Sequence, residues 1–303
     1  MRTTPTPIAI AALAATVSLA ACGGGQSDCG PGRDLVPAII GDSQLDTFQV
    51  ASLGVDELRI VGSGAEHNTL VQAHFSDFSE YQVQLAERTE FPDHPACMLY
   101  TSRPVTSGEP IPLHVDRATF GGLAGGEVVL EPNANEHLPT DLLPQRGFDA
   151  ATVTIEIESP GGQGDFPAFS DEIPAPAQPV LLAIGDLTDP DLAAGPSLGI
   201  ATDRTDHMRV KWEPAGSDYV EIKLLPGAGS ATPWGKLRCI TFDDGCLEIP
   251  AAALSQLAMD EAVNFDFRIE HHFFVIHPIG QGAQPEASAL IDTSSTLQGT
   301  VVR

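Results

Sequence analysis

Downstream of residue 44 the apolar positions recur every second residue. Val153, Ile155 and Ile157 alternate with Thr152, Thr154, Glu156 and Glu158. Met208, Val210 and Trp212 alternate with Arg209, Lys211 and Glu213, and Val220, Ile222 and Leu224 with Glu221 and Lys223. A period of two marks a strand with one face on a core and one face toward water. The runs 45–50, 57–61, 69–75, 81–86, 96–101, 111–116, 126–130, 236–242, 263–277 and 296–302 read the same way, at the short spacing of β-sandwiches. In 263–277, Phe265, Phe267, Ile269, His271, Phe273, Val275 and His277 share one face, while Asp266, Arg268, Glu270 and His272 take the other. A bulge is expected near the His pair. His271 and His277 are then about 20 Å apart by strand rise, too far to bind one ion. One short helix is predicted over 250–259, with Pro250 at its start and Ala252, Leu254, Leu257 and Ala258 as its apolar face. The densest Gly/Pro stretch, 159–179, is the natural boundary, although Phe166, Pro167 and Phe169 are too apolar for a free linker and predict packing along a domain edge. The expectation is an all-β chain of two antiparallel β-sandwich domains in tandem, of immunoglobulin or fibronectin type, over 34–172 and 173–303.

Composition narrows the partners. The chain has 303 residues, 18% charged, with 29 Gly and 25 Pro. So few charges argue against a disordered acidic chain, and the frequent Pro argues against a long helical bundle. The formal charge of −26, from 15 basic against 41 acidic residues, removes nucleic acid as an electrostatic partner.

The N-terminus carries an address. After Met1 and Arg2, the apolar run Ile8 to Ala21 has the length of a signal-peptide core and is too short to span a bilayer. It ends Leu19-Ala20-Ala21-Cys22, followed by Gly23-Gly24-Gly25. This segment resembles the lipobox of bacterial lipoproteins, Leu-x-Gly/Ala-Cys, at all four positions. The resemblance implies cleavage of residues 1–21 and acylation of Cys22 on its sulfur and on its new amino group, with chains such as palmitate. Each buried methylene contributes about 0.8 kcal/mol, so several chains make a durable membrane anchor. Sorting in that family turns on the residue after the Cys, and Gly23 rather than Asp favours the outer membrane. Residues 22–33 read as a flexible Gly-rich tether. The mature body keeps a strong negative charge and is expected to stand off an anionic surface.

Four cysteines remain, Cys29, Cys97, Cys239 and Cys246, an even number in an exported chain, and two disulfides are expected. Asp243-Asp244-Gly245 between Cys239 and Cys246 is a hairpin-turn signal, so the expected pairs are Cys239 with Cys246 and Cys29 with Cys97. A zinc site on these thiols is disfavoured, because no Cys-x2-Cys pair occurs.

The second half resembles exported bacterial proteins and lipoproteins of β-sandwich layout. The shared features are Gly161 to Ser170, Ala175-Pro176, Val210 to Trp212, Cys239, Asp244-Gly245-Cys246 and Ile249-Pro250 to Leu254. That resemblance implies fold and address, and no activity.

Candidate chemistry is sparse. Gly41-Asp42-Ser43 looks like the nucleophile block of the SGNH hydrolases, but none of the nine His residues follows an Asp by three positions, and a Ser without a positioned base is a weak nucleophile. The acidic loop with Asp186, Asp189 and Asp191 is the best place for calcium, without EF-hand spacing. Trp234, between predicted strands, could stack on a sugar or anchor a protein. Trp212 follows strand alternation and reads as core. The expectation is a non-enzymatic, lipid-anchored envelope protein with a binding, adhesion or structural role. Its alternative is a carbohydrate- or calcium-binding module built on loops of the second domain, with ester hydrolysis a distant third.

Overall fold

The computed structural model describes residues 29–32, 35, 49–60, 67–79, 82–84, 87–102, 105–132, 141–144, 147–162, 165–188, 197–199, 206–226, 236–257, 264–280 and 286–302. Strands dominate. The main sheet has eleven, and its hydrogen-bonded path runs β10 (Asp141–Pro144), β2 (His67–Asp77), β1 (Gln49–Ile60), β21 (Ala287–Val302), β20 (Asn264–Ile279), β17 (Tyr219–Pro226), β18 (Lys236–Thr241), β5 (Cys97–Tyr100) and β4 (Arg88–Glu90). Off this path, β15 (Ser197–Gly199) pairs with β21 and β7 (Ile111–Pro112) with β2. One small sheet holds β12 (Phe169–Pro174), β11 (Thr152–Glu158), β8 (Arg117–Gly121) and β9 (Val128–Leu130). Another holds β14 (Leu187–Thr188), β13 (Leu181–Ile184), β16 (Met208–Trp212) and β19 (Cys246–Ile249). A separate pair joins β3 (Gln82–Gln84) to β6 (Val105–Ser107).

The alternation of each strand decides where the core sits. Leu53 and Val55 of β1 and Val71, Ala73 and Phe75 of β2 turn inward to meet Phe120, Ile155, Ile157 and Phe166 around the first small sheet. Val220, Ile222 and Leu224 of β17 meet Ile184, Val210, Trp212, Leu247 and Ile249 of the second. Burying each such side chain contributes about 1.5–3 kcal/mol relative to leaving it in water. The long ribbon of β20 and β21 serves both cores: Phe267 and Ile269 enter the second, and Ile279, Ala287, Ala289 and Ile291 the first. His271 lies between these positions on the same face and is wholly buried. Burial pushes its pKa down, against the pull of the Asp243 carboxylate and the Ala177 backbone.

Several expectations are revised. Strands from both sides of the expected boundary at 172/173 meet in the main sheet, since β1 runs parallel to β21 and β5 pairs with β18. The stretch 159–179 contains a strand, β12, and its Phe166 is fully buried. The described parts of the runs at 45–50 and 57–61, residues 49–50 and 57–60, belong to one strand, since β1 continues through Gly54, where a Cβ would meet Gln72 Nε2 at 2.9 Å. No bulge occurs at His271 and His272, where β20 stays in register with β21 from Asn264 to Ile279. The helix α1 (Ala251–Leu257) opens on the Pro250 carbonyl, which accepts from the Ala253 and Leu254 N–H groups.

The cysteine pairing differs from the expectation: the disulfides are Cys29 to Cys246 and Cys97 to Cys239. The reason lies in the turn after β18. Asp243-Asp244-Gly245 does not close a two-stranded hairpin; it carries the chain from β18 in the main sheet to β19 in the second small sheet. Gly245 has φ +89°, and a Cβ there would meet Pro214 Cγ at 3.0 Å and the Trp212 carbonyl at 3.1 Å. Cys239 is instead directly opposite Cys97 in the β18–β5 register. The end of the expected tether is packed as well. Cys29 is buried, the Gly30 carbonyl accepts the Glu248 N–H, and a Cβ on Gly32 would lie 2.6 Å from Leu247 Cδ1.

Candidate functional site

Five of the residues proposed from sequence lie outside the described residues: Cys22, Ser43, Asp189, Asp191 and Trp234. Asp186 is described and exposed, in the turn between β13 and β14. Trp212 is core, as its alternation implies; its indole Nε1–H donates to Asp243 Oδ1 at 2.8 Å. The other oxygen of Asp243 accepts from the Ala215 N–H, the Ser217 N–H and the Ser217 hydroxyl. Burial raises the Asp243 pKa, but the Trp212 indole, the Ala215 and Ser217 N–H groups and the nearby His271 outweigh it and hold the carboxyl below its ordinary value. One carboxylate thus fixes the corner between the two sheets. His277 does not approach His271; its Nδ1 meets Asp171 Oδ2 at 2.8 Å and its ring lies over Phe169, joining β20 to β12.

Among the described residues, a cluster of titratable groups sits on the outer face of the main sheet. The polar positions of β17, β18, β20, β21 and β1 place Glu221, Lys223, Arg238, Glu270, His272, Asp292 and Asp56 across five adjacent strands. Glu221 and Glu270 stand directly opposite each other, as do Lys223 and Arg238. Like charges facing across a ladder repel, so the attraction runs along diagonals. Lys223 Nζ lies 2.5 Å from Glu270 and 3.1 Å from Glu221, and the Arg238 guanidinium bonds both oxygens of Glu221. His272 Nδ1 meets Asp292 Oδ1 at 3.0 Å, its Nε2 meets Glu270 at 3.2 Å, and its ring stacks on Tyr219 at 4.6 Å. Asp56 accepts hydroxyl hydrogen bonds from Ser294 and Thr296. Leu35, Tyr219, Ile240 and Phe274 form a small apolar cluster on this same side.

The electrostatics follow from burial against pairing. Burial disfavours the His272 imidazolium, but Asp292 and Glu270 overcome it and push the pKa up to about 9. Burial raises Glu270, yet its bonds from His272 and Lys223 hold it well below the usual carboxylate range. For Asp56 burial wins over the two hydroxyl donors, and the nearby Glu270 adds to the upward shift. Lys223 stays protonated, since the Glu221 and Glu270 carboxylates outweigh its burial. With both ring nitrogens engaged by carboxylates, His272 has no lone pair to accept a substrate proton. Glu221, Glu270 and His272 also bring three donor atoms within 4.8 Å of one another, but the Lys223 ammonium already occupies the space between the two carboxylates. The arrangement keys strand register: a one-residue slip of β20 against β17 would carry Glu270 off the face that holds Lys223 and break that pair.

A second cluster lies near the two disulfides. His94, in the loop between β4 and β5, His207, just before β16, and Glu248, in β19, gather their donor atoms within 4.8 Å. Sequence patterning missed both clusters. Outward polar positions are visible in each strand, but which strands are neighbours is not, and His94 and Glu248 are 154 residues apart.

No protein-family model and no curated protein matches the chain. Among solved structures, one from a 1.5-MDa bacterial ice-binding adhesin is similar at 10% identity, covering 84% of this chain and 98% of that one, with a TM-score of 0.19. A Ca2+-stabilized adhesin of an Antarctic bacterium is similar at 10% identity over 80% of this chain and 58% of that one, with a TM-score of 0.18. Likeness at this level carries no argument about fold or function. Among the described residues, no helix is long and apolar enough to cross a membrane.

Proposed function

We propose that the chain is a lipid-anchored cell-envelope protein whose β body has a non-catalytic binding, adhesion or structural role. In this reading residues 1–21 are a signal peptide, Cys22 carries the lipid, and the two cores are its two sandwich units. The lipobox resemblance of Leu19-Ala20-Ala21-Cys22 carries the proposal. The cysteine chemistry supports it, because all four body cysteines are in disulfides, the usage of an exported chain. The leash is short: six residues separate Cys22 from the disulfide-bonded Cys29. At about 3.3–3.6 Å per residue that span reaches no more than about 25 Å, so the body works close to its membrane.

The test is Cys22→Ser in the full-length chain, followed by detergent phase partitioning and labelling with radioactive palmitate. The wild type should enter the detergent phase and take up label, and the variant should do neither. Equal partitioning of both would overturn the anchor.

A further inference from the structure

We propose that His94, His207 and Glu248 form a binding site for a borderline divalent transition ion, of which Zn2+ is the probe. His94 Nε2 lies 3.4 Å from Glu248 Oε1, and His207 Nδ1 lies 4.0 Å from the same oxygen. Bonds of 2.0–2.1 Å in a tetrahedron place neighbouring donors about 3.3 Å apart. The first pair already stands at that separation, and the second needs an adjustment of under about 1 Å. The two imidazole centroids are 4.8 Å apart, close to the ~5 Å that two imidazoles on one ion require.

Neighbouring groups prepare these donors. The His94 loop is held by the His94 N–H donating to the Phe91 carbonyl and by the His94 carbonyl accepting the Cys97 N–H, and Cys97 is tied to Cys239. Glu248 is fixed through its N–H to the Gly30 carbonyl, beside the Cys29–Cys246 bond. Arg209 Nε lies 3.5 Å from Glu248 Oε2, orienting the carboxylate so that Oε1 faces the imidazoles. The Ala251 N–H donates to His207 Nδ1 at 3.3 Å, which selects the tautomer with an unprotonated Nδ1, whose lone pair an ion would take over from that N–H. On binding, this exposed N–H turns to water. The His207 side chain is 47% exposed, so an ion has a path in, and a fourth position is left to water.

The donor set chooses the ion. Two imidazoles and one carboxylate suit Zn2+, Ni2+ or Cu2+, whereas calcium takes six to eight oxygens. The site also differs from the buried ladder in having no lysine among its donors.

The experiment is isothermal titration of Zn2+ into the full mature chain in detergent, with thermal melts in parallel. One equivalent should bind with a rise in melting temperature. His207→Ala and His94→Gln should each weaken binding by at least about tenfold, and Ca2+ should leave the melt unchanged. Because His207 is half-exposed, its variant should melt like the wild type in the presence of chelator. Absence of saturable Zn2+ binding to the wild type, or undiminished wild-type affinity in either histidine variant, would overturn the proposal.

Discussion

Cutting the outer disulfide offers the sharpest quantitative check on this fold. The sequence separations are 217 for Cys29–Cys246 and 142 for Cys97–Cys239, and the second interval lies wholly inside the first. With the inner bond in place, the outer one closes an effective loop of about 75 residues in the unfolded chain, for which loop-closure entropy gives about 4.5 kcal/mol at 25 °C. Residual structure in the unfolded chain lowers this, so Cys29→Ala with Cys246→Ala should cost about 3–4 kcal/mol. The assay is equilibrium urea unfolding of the double variant against the wild type, in which the slope should rise, because the unfolded chain freed of its outer bond exposes more surface. Peptide mapping under non-reducing conditions accompanies it. The local pairing suggested by the Asp243-Asp244-Gly245 turn would instead close a loop of only seven residues, worth about 2.4 kcal/mol. A mapped Cys239–Cys246 peptide, or a loss under about 1 kcal/mol with an unchanged slope, would refute the nested topology.

Two further outcomes test the polar groups. Asp243→Ala leaves the buried Trp212 Nε1–H without its partner and should destabilise by about 2–4 kcal/mol in the same urea assay. Because the Asp243 pKa is lowered on folding, its contribution is present above the ordinary carboxylate value and is lost as the pH falls through the lower folded value; Asp243→Asn should therefore flatten the acid limb of stability against pH. His272 has the opposite sign: raised to about 9, it stabilises fully below its ordinary value of 6.5, and that stability fades as the pH rises through about 9. His272→Gln should remove this alkaline decline, worth up to about 3 kcal/mol, and a decline of the same size in the variant would show that another group causes it.

Much of this β body was legible as strands and little of it as pairing. Alternation located β11, β16, β17 and β20, because each turns a regular series of apolar residues toward a core while charged residues fill much of the other face. The first half of β21 escaped, since Ala287, Ala289, Thr293 and Ser295 fill a buried face with small side chains that resemble loop composition. The turn chemistry at Asp243 to Gly245 is the same for a hairpin and for a corner between sheets. What distinguishes them is Asp243 reaching Trp212 and Ser217, residues about thirty positions earlier in the chain. The ladder of Glu221, Lys223, Glu270 and His272 is a property of register, invisible until β17 and β20 are laid side by side.

The nested bonds also set how the body answers force. Tension arriving along the residues before Cys29 reaches the Cys29–Cys246 bond first and passes at once into β19, which is hydrogen-bonded to β16 over four residues. The backbone from Gly30 toward β1 is thereby shielded, and β1 cannot be unzipped from β2 and β21 by a pull from that end. Only a reductant would redirect the load onto β1, so the same polypeptide should resist tearing in an oxidising medium and yield from its leading edge in a reducing one.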